Sequence, residues 1–183
     1  MAYFSTREVA AITMFAALWG VLNSIFAPIV FQMFGLPILC DMIGFAVLIL
    51  SVWWIRKLGA VTAVGLIATV VNFIFNPSGF HFLGFTAASV VFDITARLIG
   101  YERCFKKPLS LTASMLSISI LSAAVAGLII GAFFMAAPAL ARWGGVLGWA
   151  GLHAAGGVIG GFIGITLVTG LSTRGVRRMD VKN

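Results

Sequence analysis

Six stretches of this chain are apolar over about the length that a helix needs to cross a bilayer, and turn or basic residues separate them. They predict helices over Thr6–Ile25, Asp41–Ile55, Ala60–Phe75, Phe82–Gly100, Ser110–Met135 and Val146–Leu171. Of the 183 residues, 61% are hydrophobic and 9% are charged, with a mean hydropathy of +1.12. A soluble domain carries about 25% charged residues, so that class is excluded. Six spans use roughly 120 residues and leave only short connections. The expected fold class is an all-α membrane protein, a single six-helix transmembrane domain over residues 1–183.

Charge then orients the bundle. With an even number of spans both termini share a side, and eleven of the twelve Lys and Arg residues fall on that side. Arg7 precedes the first helix, and Arg56 and Lys57 lie between the second and third. Arg97, Arg103, Lys106 and Lys107 follow at the end of the fourth helix and beyond it. Arg174, Arg177, Arg178 and Lys182 follow the sixth, and Arg142 alone lies opposite. Short loops rich in Lys and Arg stay in the cytoplasm, so both termini are expected there, in the plasma membrane. The formal charge of +7 thus reports topology and contact with anionic lipid, not nucleic acid.

Local signals fit this walk. Ser5-Thr6-Arg7-Glu8 has the capping-box pattern that starts a helix. Asn23 to Pro28 lacks a small-residue cleavage pattern, so the first helix is read as retained. Ala27-Pro28 is expected to break that helix, and Asn76-Pro77-Ser78-Gly79 to form a tight outer turn. Cys40 and Cys104 fall at opposite faces of the membrane, too far apart for a disulfide.

Polar groups at membrane depth cost about 2.5–3.5 kcal/mol each when ionised, so each needs a reason. Asp93 and Arg97, four residues apart on the fourth helix, are expected to form a structural ion pair near the inner face. Gln32, Asp41, Asn72, Asn76, His81 and His153 fall toward the outside, with Phe133 and Trp149 at similar depth. Aromatic walls with a few placed polar groups describe a small-molecule pocket. Asp41 equally fits a cap of the second helix, Asn76 a turn residue and Trp149 an interfacial anchor. Asn72 and His153 lie within helices, about one turn or more from water, and are the stronger ligand candidates. No metal cluster or cofactor motif is present. A phosphate-cradling GxxxxGK[ST] loop, HExxH and GxSxG are all absent, so neither ATP hydrolysis nor an enzymatic centre is expected of this chain.

Small residues mark close helix contacts in lipid. Gly156, Gly160 and Gly164, flanked by Gly157 and Gly161, predict tight packing of the sixth helix. Ala10, Thr13, Ala17 and Gly20 form a stripe on the first helix that suits a partner membrane protein.

Together, the six short-looped helices, this stripe and the outer polar and aromatic residues resemble the S components of energy-coupling factor transporters. Ile55-Arg56-Lys57-Leu58-Gly59-Ala60 and Asn76-Pro77-Ser78-Gly79 look like segments of the S component for thiamine and its hydroxymethylpyrimidine precursor. The likeness runs from the first helix to the fourth. It implies capture of a vitamin near the outer face, docking onto a transmembrane coupling subunit that carries two ATPase subunits, and toppling to release the substrate inward. Thr13-x-x-x-Ala17 occupies the position of the family's Ala-x-x-x-Ala docking stripe. The third helix carries no acid, which points to a neutral substrate such as the pyrimidine precursor; Met1-Ala2-Tyr3 lacks the Met-His start of the nickel and cobalt members. The alternatives are an S component for another micronutrient and a non-catalytic membrane assembly or scaffold subunit.

Overall fold

The computed structural model describes residues 3–176 and Arg178. Arg177 and Lys182 of the basic tail lie outside the described residues. Eight helices follow in order: α1 (Thr6–Phe34), α2 (Ile38–Ile55), α3 (Ala60–Phe75), α4 (Phe82–Ile99), α5 (Tyr101–Cys104), α6 (Pro108–Phe133), α7 (Ala137–Arg142) and α8 (Gly145–Thr173). There is no strand among the described residues. Five helices (α1, α2, α4, α6 and α8) are long and apolar enough to cross a membrane, and the apolar α3 is shorter at 16 residues. α5 and α7 add single turns within the predicted loops.

The six long helices pack as a ring, α1–α3–α4–α6–α8–α2 and back to α1. α2 also touches α3, α4 and α6 and is the most buried span. The glycines of α8 set the closest approaches. A Cβ on Gly160 would lie 2.6 Å from the Asp41 carbonyl oxygen, and one on Gly164 2.8 Å from the Ile49 side chain. Gly157 meets Ser119 and Ala123 of α6 in the same way. α8 therefore wedges between α2 and α6 through two glycine faces, as their spacing predicted.

α1 begins with the predicted capping box: Glu8 N–H donates to Ser5 Oγ (3.3 Å) and Ser5 N–H to Glu8 Oε2 (2.8 Å). It does not break at Pro28. The missing N–H removes one backbone bond, but the helix runs on to Phe34. Gly35, in the left-handed region (φ 66°), ends it there with its N–H on the Phe31 carbonyl (2.7 Å). At 29 residues α1 is about 43 Å long. It overshoots α3 and supplies a wall where a loop was expected.

The ion-paired basic residues gather at one end. Lys57 Nζ pairs with Glu8 (2.9 Å) and bonds the Tyr3 carbonyl (3.2 Å). Arg56 and Arg178 both grip the exposed Glu102 at 2.8 Å, whose carboxyl they hold below the usual carboxylate range, with the Arg56 bond the main cause. The expected Asp93–Arg97 ion pair does not form. Asp93 turns inward and Oδ2 accepts from the Gly59 N–H (2.9 Å), the Thr62 N–H and the Thr62 hydroxyl (both 3.0 Å). The carboxylate thus satisfies free donors at the α3 N-terminus, where the helix dipole favours it, and Arg97 is left exposed. Burial, with Asp93 beside it, pushes the Tyr101 phenol up. Cys40 and Cys104 are free and buried.

Candidate substrate site: a cavity at the end remote from the basic cluster

Beyond the end of α3 the overshooting α1, the start of α2, the turn before α4 and the start of α8 enclose a cavity of about 190 Å³. Each element brings a distinct chemistry. α1 supplies Asn23, Ala27, Pro28, Phe31 and, exposed at the rim, Gln32. α2 adds Cys40, with Pro37 just before it. Asn72 comes from the last turn of α3, and Asn76 and His81 from the turn that follows. Phe82 and Phe85 of α4, Ile130 of α6, Met135 after it, and Trp149 and His153 of α8 complete the wall.

Asn72 and Asn76 are tied to the turn itself. The Asn76 N–H bonds the Asn72 carbonyl (2.7 Å) as the α3 C-cap, and the Asn76 carbonyl accepts from the Gly79 N–H (2.9 Å). Gly79 allows this packing, since a Cβ there would sit 2.9 Å from Asn72 Nδ2. The Asn72 carboxamide also meets Ser24 of α1 (2.9 Å). His81 is half-buried in the same turn; burial holds its pKa at about 4, so its imidazole is neutral at physiological pH.

His153 is the best-defined group. It is fully buried, and Nδ1 lies 3.0 Å from Asp41 Oδ1. Phe85 and Trp149 stand edge-on to its ring at centroid distances of 5.6 and 5.8 Å. Phe31 closes over Trp149 at 6.4 Å. Asp41 lies in the first turn of α2 but makes no cap bond. It does not line the cavity and acts through His153.

Four buried side-chain atoms on the cavity residues have no protein partner: Asn23 Oδ1, Asn72 Nδ2, Trp149 Nε1 and His153 Nε2. An unmatched buried polar group costs about 1–3 kcal/mol, and these four give the cavity residues hydrogen-bonding capacity that the protein itself does not meet. The flanking aromatic rings offer flat apolar faces. Among the described residues no group of three His, Cys, Asp or Glu side chains is placed to hold a metal ion.

Of the residues expected to bind substrate, Gln32, Asn72, Asn76, His81, Trp149 and His153 line the cavity, and Asp41 supports it from behind. Phe133 does not: it is 76% exposed on the outer surface of α6, and Ile130, on the inward face, takes its place. On the α1 stripe Ala10, Thr13 and Ala17 are exposed, but Gly20 is buried, with a Cβ there falling 2.8 Å from Val71 of α3. Gly20 is thus an internal packing residue. Sequence reasoning missed Asn23, Phe31, Cys40 and Phe85. Asn23 carried the same signal as Asn72, a carboxamide inside an apolar helix. It went unused because α1 was expected to end just beyond it.

Comparison with protein-family models, with curated proteins and with solved structures gives no match for this chain.

Proposed function

We propose that this chain is the substrate-capturing S component of an energy-coupling factor importer for a vitamin or vitamin precursor. In this reading all six long helices cross the plasma membrane. α3, at about 24 Å, is shorter than the ~30 Å hydrocarbon core, and local bilayer thinning accommodates it. The basic end faces the cytoplasm, so the cavity opens toward the outside, where capture takes place. The observation that carries the proposal is the cavity itself: aromatic walls, and four buried polar atoms awaiting partners, at the end remote from the basic cluster.

At about 190 Å³ the cavity is smaller than the ~300–1,000 Å³ of pockets for drug-sized ligands. Within the thiamine branch this favours the single-ring hydroxymethylpyrimidine over the two-ring vitamin. The exposed small residues Ala10, Thr13 and Ala17 offer α1 as the docking face for a coupling transmembrane subunit, which two ATPase subunits drive and on which the protein topples to release its cargo.

The test is isolation of the full chain from its native membrane, with mass spectrometry of both the proteins and the small molecules that accompany it. An ATPase-bearing complex together with a vitamin-like ligand is the expected result. A chain that carries no small molecule, and binds neither thiamine nor hydroxymethylpyrimidine when these are added, would sink the capture reading.

A further inference from the structure

The buried Asp41–His153 couple has chemistry that a merely polar cavity does not need. An ionised carboxylate only accepts hydrogen bonds, so with Asp41 ionised the 3.0 Å contact requires the proton on His153 Nδ1. The ring's other nitrogen, Nε2, is buried and without a protein partner, on a residue that lines the cavity. Nε2 is therefore the atom of the couple that a ligand can reach.

Charge decides which ligand group belongs there. Asp41 is fully buried and Oδ2 has no hydrogen-bond partner. No Lys or Arg lines the cavity. The titratable side chains on the elements around the couple are Cys40 on α2 and His81 in the turn before α4. Near this end α1, α3, α4 and α6 present none, and Arg142 of α7 is exposed beside the Trp143 ring (5.6 Å). Asn23 Oδ1 is a second unmatched acceptor in the wall, against the two unmatched donors Asn72 Nδ2 and Trp149 Nε1. With the proton on Nδ1, Nε2 presents a lone pair beside a carboxylate whose charge no Lys or Arg of the lining offsets, so this atom takes a hydrogen-bond donor.

We infer that the ligand hydrogen bonds to the His153 Nε2 lone pair: the site selects a small molecule bearing an N–H or O–H donor at that position. The inference rests on the substrate-capture reading above. Asp41 is a positioning residue here, because it holds the ring in the Nδ1–H form.

The chain has only two histidines, so nitrogen-15 NMR of histidine-labelled full-length protein, with His81→Gln for assignment, reads His153 directly. In the empty protein at neutral pH the ring proton is expected on Nδ1, with Nε2 unprotonated. Asp41→Asn is expected to weaken that preference. The ligand probes are hydroxymethylpyrimidine and thiamine. Binding of either is expected to move the Nε2 resonance to that of a hydrogen-bonded, unprotonated nitrogen. A proton on Nε2 instead of Nδ1 would overturn the inference without any ligand, as would binding that leaves Nε2 unmoved. If neither probe binds, the thiamine-branch substrate fails by itself, and the observed tautomer still decides this inference. If Asp41→Asn fails to fold, the wild-type spectrum carries the test.

Discussion

Asn72 shows how one side chain can be both structural and functional. Its backbone carbonyl caps α3, its carboxamide oxygen accepts from Ser24, and its Nδ2, packed against Gly79, has no partner on a residue that lines the cavity. Asn72→Ala is expected to weaken binding of hydroxymethylpyrimidine about tenfold, and Trp149→Ala by more, since it removes a ring face as well as a donor. Isothermal titration of the purified variants checks this, and unchanged affinity in both would mean that the ligand sits elsewhere. His81 makes a pH prediction. Burial, chiefly, depresses its pKa from 6.5 to about 4. The folded protein therefore binds fewer protons than the unfolded chain between these values, and stability falls as pH drops from 6.5 toward 4. A thermal melt followed over this range should show the loss, and His81→Gln should flatten it. A wild-type Tm that rises on acidification would contradict the assignment.

The elements were legible where pattern and chemistry agreed. α3 has the bounds that its apolar run and flanking turns predicted, and the Ser5–Glu8 box opens α1 as read. α1 was misjudged at its far end because a proline is a strong stop signal in water. Within an apolar bundle one missing donor does not outweigh continued packing against neighbouring helices. That difference created the cavity wall. Phe133 and Ile130, three residues apart, are close in helix phase; Ile130 is buried, whereas Phe133 is the last residue of α6 and is exposed, an end effect that no periodicity signals because α6 is apolar all round. The α8 glycines give an element-scale prediction. Gly160→Val forces a side chain against the Asp41 backbone and is expected to cost about 1–3 kcal/mol by overpacking, seen as a lower Tm. Thr13→Trp and Ala17→Trp lie on the open face of α1 instead. They should leave Tm and ligand affinity unchanged while reducing uptake in cells; full uptake would exclude this face as the docking surface.

For the whole molecule, the clustering of Lys57, Arg56, Arg178, Glu102 and Asp93 at one end and of the cavity at the other is a geometric fact that topology must respect. In a Cys40→Ala/Cys104→Ala background, a cysteine at Ser78 should react with a membrane-impermeant maleimide in intact cells. One at Lys107 should react only after permeabilisation. The reverse pattern would invert the bundle and place the cavity on the cytoplasmic side.

The sequence by itself determined the helical class, the number of apolar segments, the segregation of basic residues and most of the polar groups that meet at the site. These are properties of composition, period and flanking charge, all local along the chain. Only the tertiary structure decided that Asp41 serves His153, that Asp93 caps α3 instead of pairing with Arg97, and that Asn23 faces inward while Phe133 faces out. Each of these depends on which face of one apolar helix meets another, or on where a helix ends relative to its neighbours, and helices that are apolar all round carry too little periodic signal to fix either.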